Sequence, residues 1–203
     1  MTIIDKIIEV NKYNRPCKYS KPVTICIHYT GQAKTGADRL AQYYANVASG
    51  VFKDKPSYTW TSTQYIVGQD GKIIRIIPDT EVAYAASGKN NGVIHIEVCY
   101  NNDNGQFEED SIVALRELVQ YLMKKYSIPA NKVVRHYDLT GKHCPMYYVD
   151  QTRWSILHDR ITAPDKPKKL YRVQVGAFSN KDNAVKYAEQ IKAAGFNAFV
   201  VEV

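Results

Sequence analysis

Two short β-branched runs, each ending in a histidine, constrain this chain more than any other feature. They are Val23–His28 and Val133–His136. Runs this short and apolar, bounded by polar turns, read as buried strands. Strands of that kind, separated by helical segments, define an α/β sheet. In such sheets ligands collect beyond the carboxyl ends of the strands, which is where both histidines fall.

The other segments fit the same plan. Thr63–Val67 and Lys72–Ile77 flank Gly68-Gln-Asp-Gly71, a hairpin signal with Asp-Gly in the turn. Val93–Cys99 is a further strand. Leu40, Tyr43, Tyr44 and Val47 recur at helical spacing behind a capping-box-like Thr35-Gly-Ala-Asp38. Asp110 is expected to cap a helix carrying Ile112, Leu115, Leu118, Val119 and Leu122. Asp150 is expected to cap another, with Trp154, Leu157 and Ile161. Ile3, Ile4, Ile7 and Ile8 also show helical spacing, so residues 2–10 are expected to form a short amphipathic helix.

Composition then limits function. The 203 residues are 45% apolar and 23% charged, which excludes a wholly disordered chain. The apolar stretches are strand-sized, so no membrane-spanning helix is expected. The net charge of +7 is spread along the chain with no Lys/Arg block, so the footprint of a nucleic-acid arm is missing. Mild positive charge suits a polyanionic surface such as a bacterial wall. Sixteen tyrosines suit sugar or peptide binding, and equally serve as partly buried filler. Asp5, Lys6 and Glu9 interrupt the first apolar stretch, which is wrong for a secretory signal. Synthesis in the cytoplasm is therefore expected. Cys17, Cys26, Cys99 and Cys144 show no framework spacing and read as reduced thiols, with Cys26 and Cys99 buried.

Cys144 stands eight residues after His136, in His136-Tyr-Asp-Leu-Thr-Gly-Lys-His-Cys144-Pro145. A loop of that length with a glycine in it can fold back on the strand end. Two imidazoles and a thiolate would then make a three-ligand zinc site with an open fourth position, the catalytic type. The pattern alone also allows a Cys–His nucleophile pair, or two packed histidines and an inert buried thiol.

Four landmarks in order resemble the zinc-dependent N-acetylmuramoyl-L-alanine amidases of the type 2 amidase and peptidoglycan-recognition-protein family. They are Thr24-Ile-Cys-Ile-His28-Tyr-Thr30, Thr63-Gln-Tyr-Ile-Val-Gly-Gln-Asp-Gly71, Asn91-Gly-Val-Ile-His-Ile-Glu97, and Arg135-His136 through Lys142-His-Cys144-Pro145. The resemblance implies a central mixed, largely parallel sheet flanked by helices. It implies His28, His136 and Cys144 as Zn2+ ligands, Glu97 as the catalytic acid and base, and Lys142 as support for the oxyanion. The implied reaction is hydrolysis of the bond between N-acetylmuramic acid and L-alanine in peptidoglycan; a non-catalytic peptidoglycan-recognition protein is the alternative. Departures are His95, where the family has a small residue, and Thr63-Gln64, in place of a Tyr-His-like pair. His95 lies two before Glu97, so both point to one face of the strand; it reads as structural, with contact to the site as the other option. Tyr29 and Tyr58 are candidate groove-lining residues, and His143 and His158 are left as solvent or packing residues.

Composition shifts at Ala163-Pro-Asp-Lys-Pro-Lys-Lys169, a linker. The expected organisation is a catalytic domain over 1–162, the linker over 163–169 and a small βαβ unit over 170–203. The last has alternating segments at Tyr171–Val175 and Asn197–Val203 around a helix with Ala184, Tyr187, Ala188 and Ile191. Its Tyr-Arg-Val-Gln-Val-Gly-Ala-Phe178 opening resembles the first half of a SPOR domain, a peptidoglycan-binding module associated with glycan strands stripped of their peptides. A half sheet exposes an edge, so pairing of two chains into a homodimer is expected. Without a leader, action on the wall would follow release by lysis, as for a phage endolysin or a mother-cell autolysin.

Overall fold

A computed structural model describes residues 1–54, 60–164 and 173–202. The chain divides into two compact units, Met1–Pro164 and Asp165–Val203.

Among the described residues the first unit holds one six-stranded sheet. Its strands are β1 (Ile3–Asp5), β2 (Thr24–Tyr29), β3 (Tyr65–Val67), β4 (Ile73–Arg75), β5 (Val93–Val98) and β6 (Val133–Arg135), in the spatial order β1-β4-β3-β5-β2-β6. Only the β3–β4 hairpin is antiparallel; the other neighbours run parallel. The sheet is thus mixed and largely parallel.

Period-two alternation assigns each strand residue a face. Ile25 and Ile27 of β2 and Ile94, Ile96 and Val98 of β5 join one core cluster. Opposite them stand Leu115, Leu118, Val119 and Leu122 of α2 (Glu109–Tyr126), and Trp154, Leu157 and Ile161 of α4 (Gln151–Thr162). Ile66 and Ile74 face the other way, against Leu40, Ala41 and Tyr44 of α1 (Ala37–Ala48). On the α1 side, β2 and β5 begin with the paired Thr24 and Val93 and continue with Cys26, His28, His95 and Glu97, four residues that are not aliphatic.

Several expectations need correction. Residues 2–10 do not form a helix: Ile3–Asp5 is an edge strand paired with Ile73–Arg75. Paired isoleucines satisfy a helical period, but they also let Ile3 pack on one side of the sheet and Ile8 on the other. The free edge of β4 supplies the hydrogen bonds that decide it, and Arg75 Nε holds Asp5 at 2.7 Å. Thr35 caps nothing; the N-cap of α1 is Gly36, and Asp38 instead binds Lys6 and Lys72. Helix α2 is preceded by Glu108, with Asp110 inside its first turn. Strand β6 stops at Arg135, and His136 opens the short α3 (His136–Thr140). Asp150 does cap α4, its Oδ1 accepting from the Arg153 amide at 2.9 Å.

In the second unit the expected helix is α5 (Lys181–Ala193), capped by Asn180, whose Oδ1 accepts from the Asp182 and Asn183 amides. The described parts of the two flanking segments carry no strand pairing. Alternation alone does not make a strand; a ladder needs a partner, and Phe196 and Phe199 stay exposed at 69% and 75%.

Candidate metal centre

The site forms where β2, β5 and β6 end together. Strands β2 and β5 pair in parallel with Cys26 opposite His95 and His28 opposite Glu97. Strands β2 and β6 pair with Ile27 opposite Arg135, so the next residues, His28 and His136, meet at the sheet end. Their ring centroids are 4.5 Å apart.

The third group arrives by a loop. After α3 the chain turns at Gly141, which takes a left-handed φ of 76°. It returns so that the Tyr137 amide donates to the Cys144 carbonyl at 2.9 Å. Arg135 fixes this loop from within the protein. Its guanidinium binds Asp138 at 2.6 Å and reaches the carbonyls of Tyr148 and Val149 at 3.0 and 2.9 Å. The Cys144 Sγ then lies 3.7 Å from His28 Nδ1. One ligand atom from each of His28, His136 and Cys144 falls within 4.8 Å of the others, and all three residues are buried.

Glu97 Oε1 is 4.0 Å from the same His28 nitrogen. Lys142, two residues before Cys144, is exposed and lines an open cleft of about 450 Å³ with Trp60, Thr61, Tyr84 and Asn90. The partly buried Tyr29 ring stacks on Tyr100, with centroids 5.5 Å apart, and packs against the core. Tyr58 lies outside the described residues. His143 is exposed beside Tyr137, and His158 packs on Trp154 and binds the Ala130 carbonyl at 2.9 Å.

Burial sets the protonation states. It drives the His28 imidazole well below its ordinary value, helped by His95, His136 and Lys142. It brings His136 down to about 4 and His95 to about 3. All three rings are therefore neutral near pH 7, the state in which imidazole can ligate a metal. Burial also lifts the Glu97 carboxyl to about 8, against the pull of Lys142. The Cys144 thiol is pushed up to about 12 by burial and by Glu97. A cation among these groups would reverse both upward shifts.

The residues fit such a cation. His136 Nδ1 and Glu97 Oε2 are buried without a hydrogen-bond partner among the described residues. Two nitrogens and a sulfur are a donor set that suits zinc. Tetrahedral zinc with ordinary bond lengths separates S from N by about 3.6 Å. The Cys144–His28 separation is 3.7 Å.

The sequence reading missed two supports. Arg135 was legible only as part of a motif, although a charged residue before a strand-end histidine is a signal for a loop anchor. Thr63 and Gln64 are both fully buried and hold the backbone of His95: the Thr63 hydroxyl donates to the His95 carbonyl, and the His95 amide donates to Gln64 Oε1, each at 2.8 Å. Two polar residues directly before a buried strand were the signal.

A mixed sheet carrying a buried His–His–Cys cluster beside a partly buried carboxylate defines an α/β domain with a candidate metallohydrolase centre. The chain belongs to the N-acetylmuramoyl-L-alanine amidase family, whose Amidase_2 model matches residues 18–147. A SPOR domain model matches residues 151–202, a span that includes α4 of the first unit.

Among relatives, the chain is 34% identical over 164 residues to the N-acetylmuramoyl-L-alanine amidase CwlL of Bacillus licheniformis, covering 74% of this chain and 43% of that protein. It is 33% identical over 174 residues to CwlH of Bacillus subtilis, covering 83% and 64%. It therefore spans less than two thirds of the length of these relatives. Among solved structures, a mutant endolysin from Bacillus subtilis superposes with a TM-score of 0.65 at 30% identity, covering 79% of this chain and 99% of that one. Among the described residues no helix is long and apolar enough to cross a membrane.

Proposed function

We propose that this chain is a zinc-dependent peptidoglycan amidase that hydrolyses the bond between the lactyl group of N-acetylmuramic acid and L-alanine. The observation that carries the reading is the convergence of His28, His136 and Cys144, with Glu97 4.0 Å from His28. Membership of the amidase family supports it.

His28, through Nδ1, His136 and Cys144 hold the zinc, which when bound polarises the scissile carbonyl and acidifies water. Glu97 takes the proton from the attacking water. It later hands that proton to the leaving nitrogen of L-alanine, so one carboxyl serves as base and then as acid. Lys142 supplies positive charge to the carbonyl oxygen as it becomes an oxyanion. The cleft between Lys142 and Trp60, Tyr84 and Asn90 receives the glycan and its stem peptide. The SPOR-like unit binds the same polymer, so the linker holds the catalytic unit at high local concentration on its own substrate. Two chains pairing through that unit give a homodimer, which light scattering tests. The site of action is the cell wall, as for an endolysin or autolysin.

The test is digestion of purified peptidoglycan. Hydrolysis releases new L-alanine amino groups, a chelator stops it and zinc restores it. Glu97→Ala keeps its zinc but loses about 10²–10⁴ in turnover. Zinc-loaded protein that releases no amino groups, or a fully active Glu97→Ala variant, refutes the proposal.

A further inference from the structure

The second ring nitrogen of His28 has an unusual partner. His28 Nε2 lies 3.0 Å from Nδ1 of His95, with the ring centroids 5.1 Å apart and the planes edge-on. A neutral imidazole carries one proton, so only one of these two nitrogens donates. If His95 donated, the His28 proton would sit on Nδ1 and cap the nitrogen that faces Cys144. If His28 donates from Nε2, Nδ1 presents a bare lone pair to His136 and Cys144.

We propose that His95 is a positioning residue of the metal centre: its Nδ1 accepts the Nε2–H of His28 and so holds the His28 ring with Nδ1 free to ligate. Ligand histidines are ordinarily oriented by a carboxylate, carbonyl or water on their other nitrogen. Here a second, buried imidazole takes that place. The inference rests on the zinc reading given above.

The surroundings of His95 are built for this task. The residue is fully buried in mid-strand, where an aliphatic side chain would pack at no polar cost. Its backbone is clamped on both sides, by the Thr63 hydroxyl on its carbonyl and by Gln64 Oε1 on its amide. Gln64 is itself anchored, its Nε2 donating to the Glu81 carbonyl at 2.8 Å. The strand register places Cys26, not Glu97, opposite His95. The carboxylate stays with the His28 Nδ1 side, and the Nε2 side is left to the imidazole. With its Nδ1 accepting, His95 must carry its own proton on Nε2, a buried nitrogen without a partner among the described residues. A buried donor left unpaired is a cost that a purely space-filling residue would not incur.

The test uses the full chain labelled with 15N-histidine, loaded with zinc. The expected spectrum shows His28 protonated at Nε2, its Nδ1 shifted by the metal, and a scalar coupling across the hydrogen bond to His95 Nδ1. Zinc affinity is then measured by competition with a chromophoric chelator. His95→Leu, which cannot accept the proton, weakens zinc about 10–100-fold. His95→Gln, whose Oε1 can accept it, recovers most of that affinity. A Leu variant that binds zinc as tightly as the native chain overturns the inference and leaves the metal reading intact. Should that variant fail to fold, the native spectrum decides: His28 without a proton on Nε2, or no coupling to His95, overturns it. A native chain that binds no zinc removes both the metal reading and this inference.

Discussion

The Glu97 carboxyl makes the metal-free protein sensitive to alkali in a way that can be isolated. Burial holds it at about 8, against 4.5 for the ordinary group. Between those values the folded chain keeps a proton that the unfolded chain has released, so stability falls as pH rises. A full unit of offset is worth about 1.4 kcal/mol. From about pH 5.5 to about pH 8, with Glu97 half-titrated at the upper end, the loss is about 3 kcal/mol. His28, His95 and His136 act in the opposite sense: their folded values lie below 6.5, so their contribution grows as pH rises toward that value and is then constant. They are present in both the native chain and Glu97→Gln, and cancel when the two are compared.

The assay is urea unfolding of both proteins in chelator, followed by tryptophan fluorescence. Both tryptophans, Trp60 and Trp154, lie in the first unit, so the signal reports on that unit alone. The Gln variant is expected to gain about 3 kcal/mol on the native chain across the range. Zinc should abolish the trend, because a cation beside Glu97 favours its ionised form. Parallel pH profiles for the two metal-free proteins would refute the argument that burial dominates at this carboxyl.

Three further outcomes follow from the same geometry. Arg135→Ala removes the guanidinium bonds to Asp138, Tyr148 and Val149; it should cost about 1.5–3 kcal/mol in urea unfolding and weaken zinc in chelator competition, because the Cys144 loop loses its anchor. Lys142→Ala should lower kcat on peptidoglycan about 10²–10³-fold with zinc content unchanged, and an unaffected kcat would remove it from oxyanion support. Leu118→Ala, at a fully buried position of α2, should cost about 2–5 kcal/mol of stability without altering metal affinity.

Much of the fold was legible because its central strands leave little choice. Val23–His28 and Val93–Cys99 are too apolar and β-branched to sit anywhere but in a buried sheet, and β2 and β5 are found within a residue of those limits. The helices α2 and α4 follow from their apolar period. The N-terminal segment misled because paired isoleucines fit two periods, and only the neighbouring edge of β4 decides between them. In the described parts of the second unit the alternating segments carry no ladder, since alternation pairs only where a partner strand is present. At the site, the shared face of His95 and Glu97 could be read from their spacing. That His136 would stand beside His28 was legible only from the two strand-end histidines and the family resemblance, because their meeting depends on β6 lying next to β2, a long-range pairing that local sequence does not encode. For the same reason the bond between His28 and His95 was invisible.

The distance along the chain between the groups that meet has its own consequence. His28 and Cys144 are separated by 116 residues. At ordinary translation rates of roughly 5–20 residues per second, the sulfur leaves the ribosome about 6–23 seconds after the first imidazole. The nascent polypeptide therefore passes through a long interval in which strands β1–β5 and helices α1 and α2 are available but the trio is incomplete. Completion of the candidate ligand trio is therefore a late event of biosynthesis.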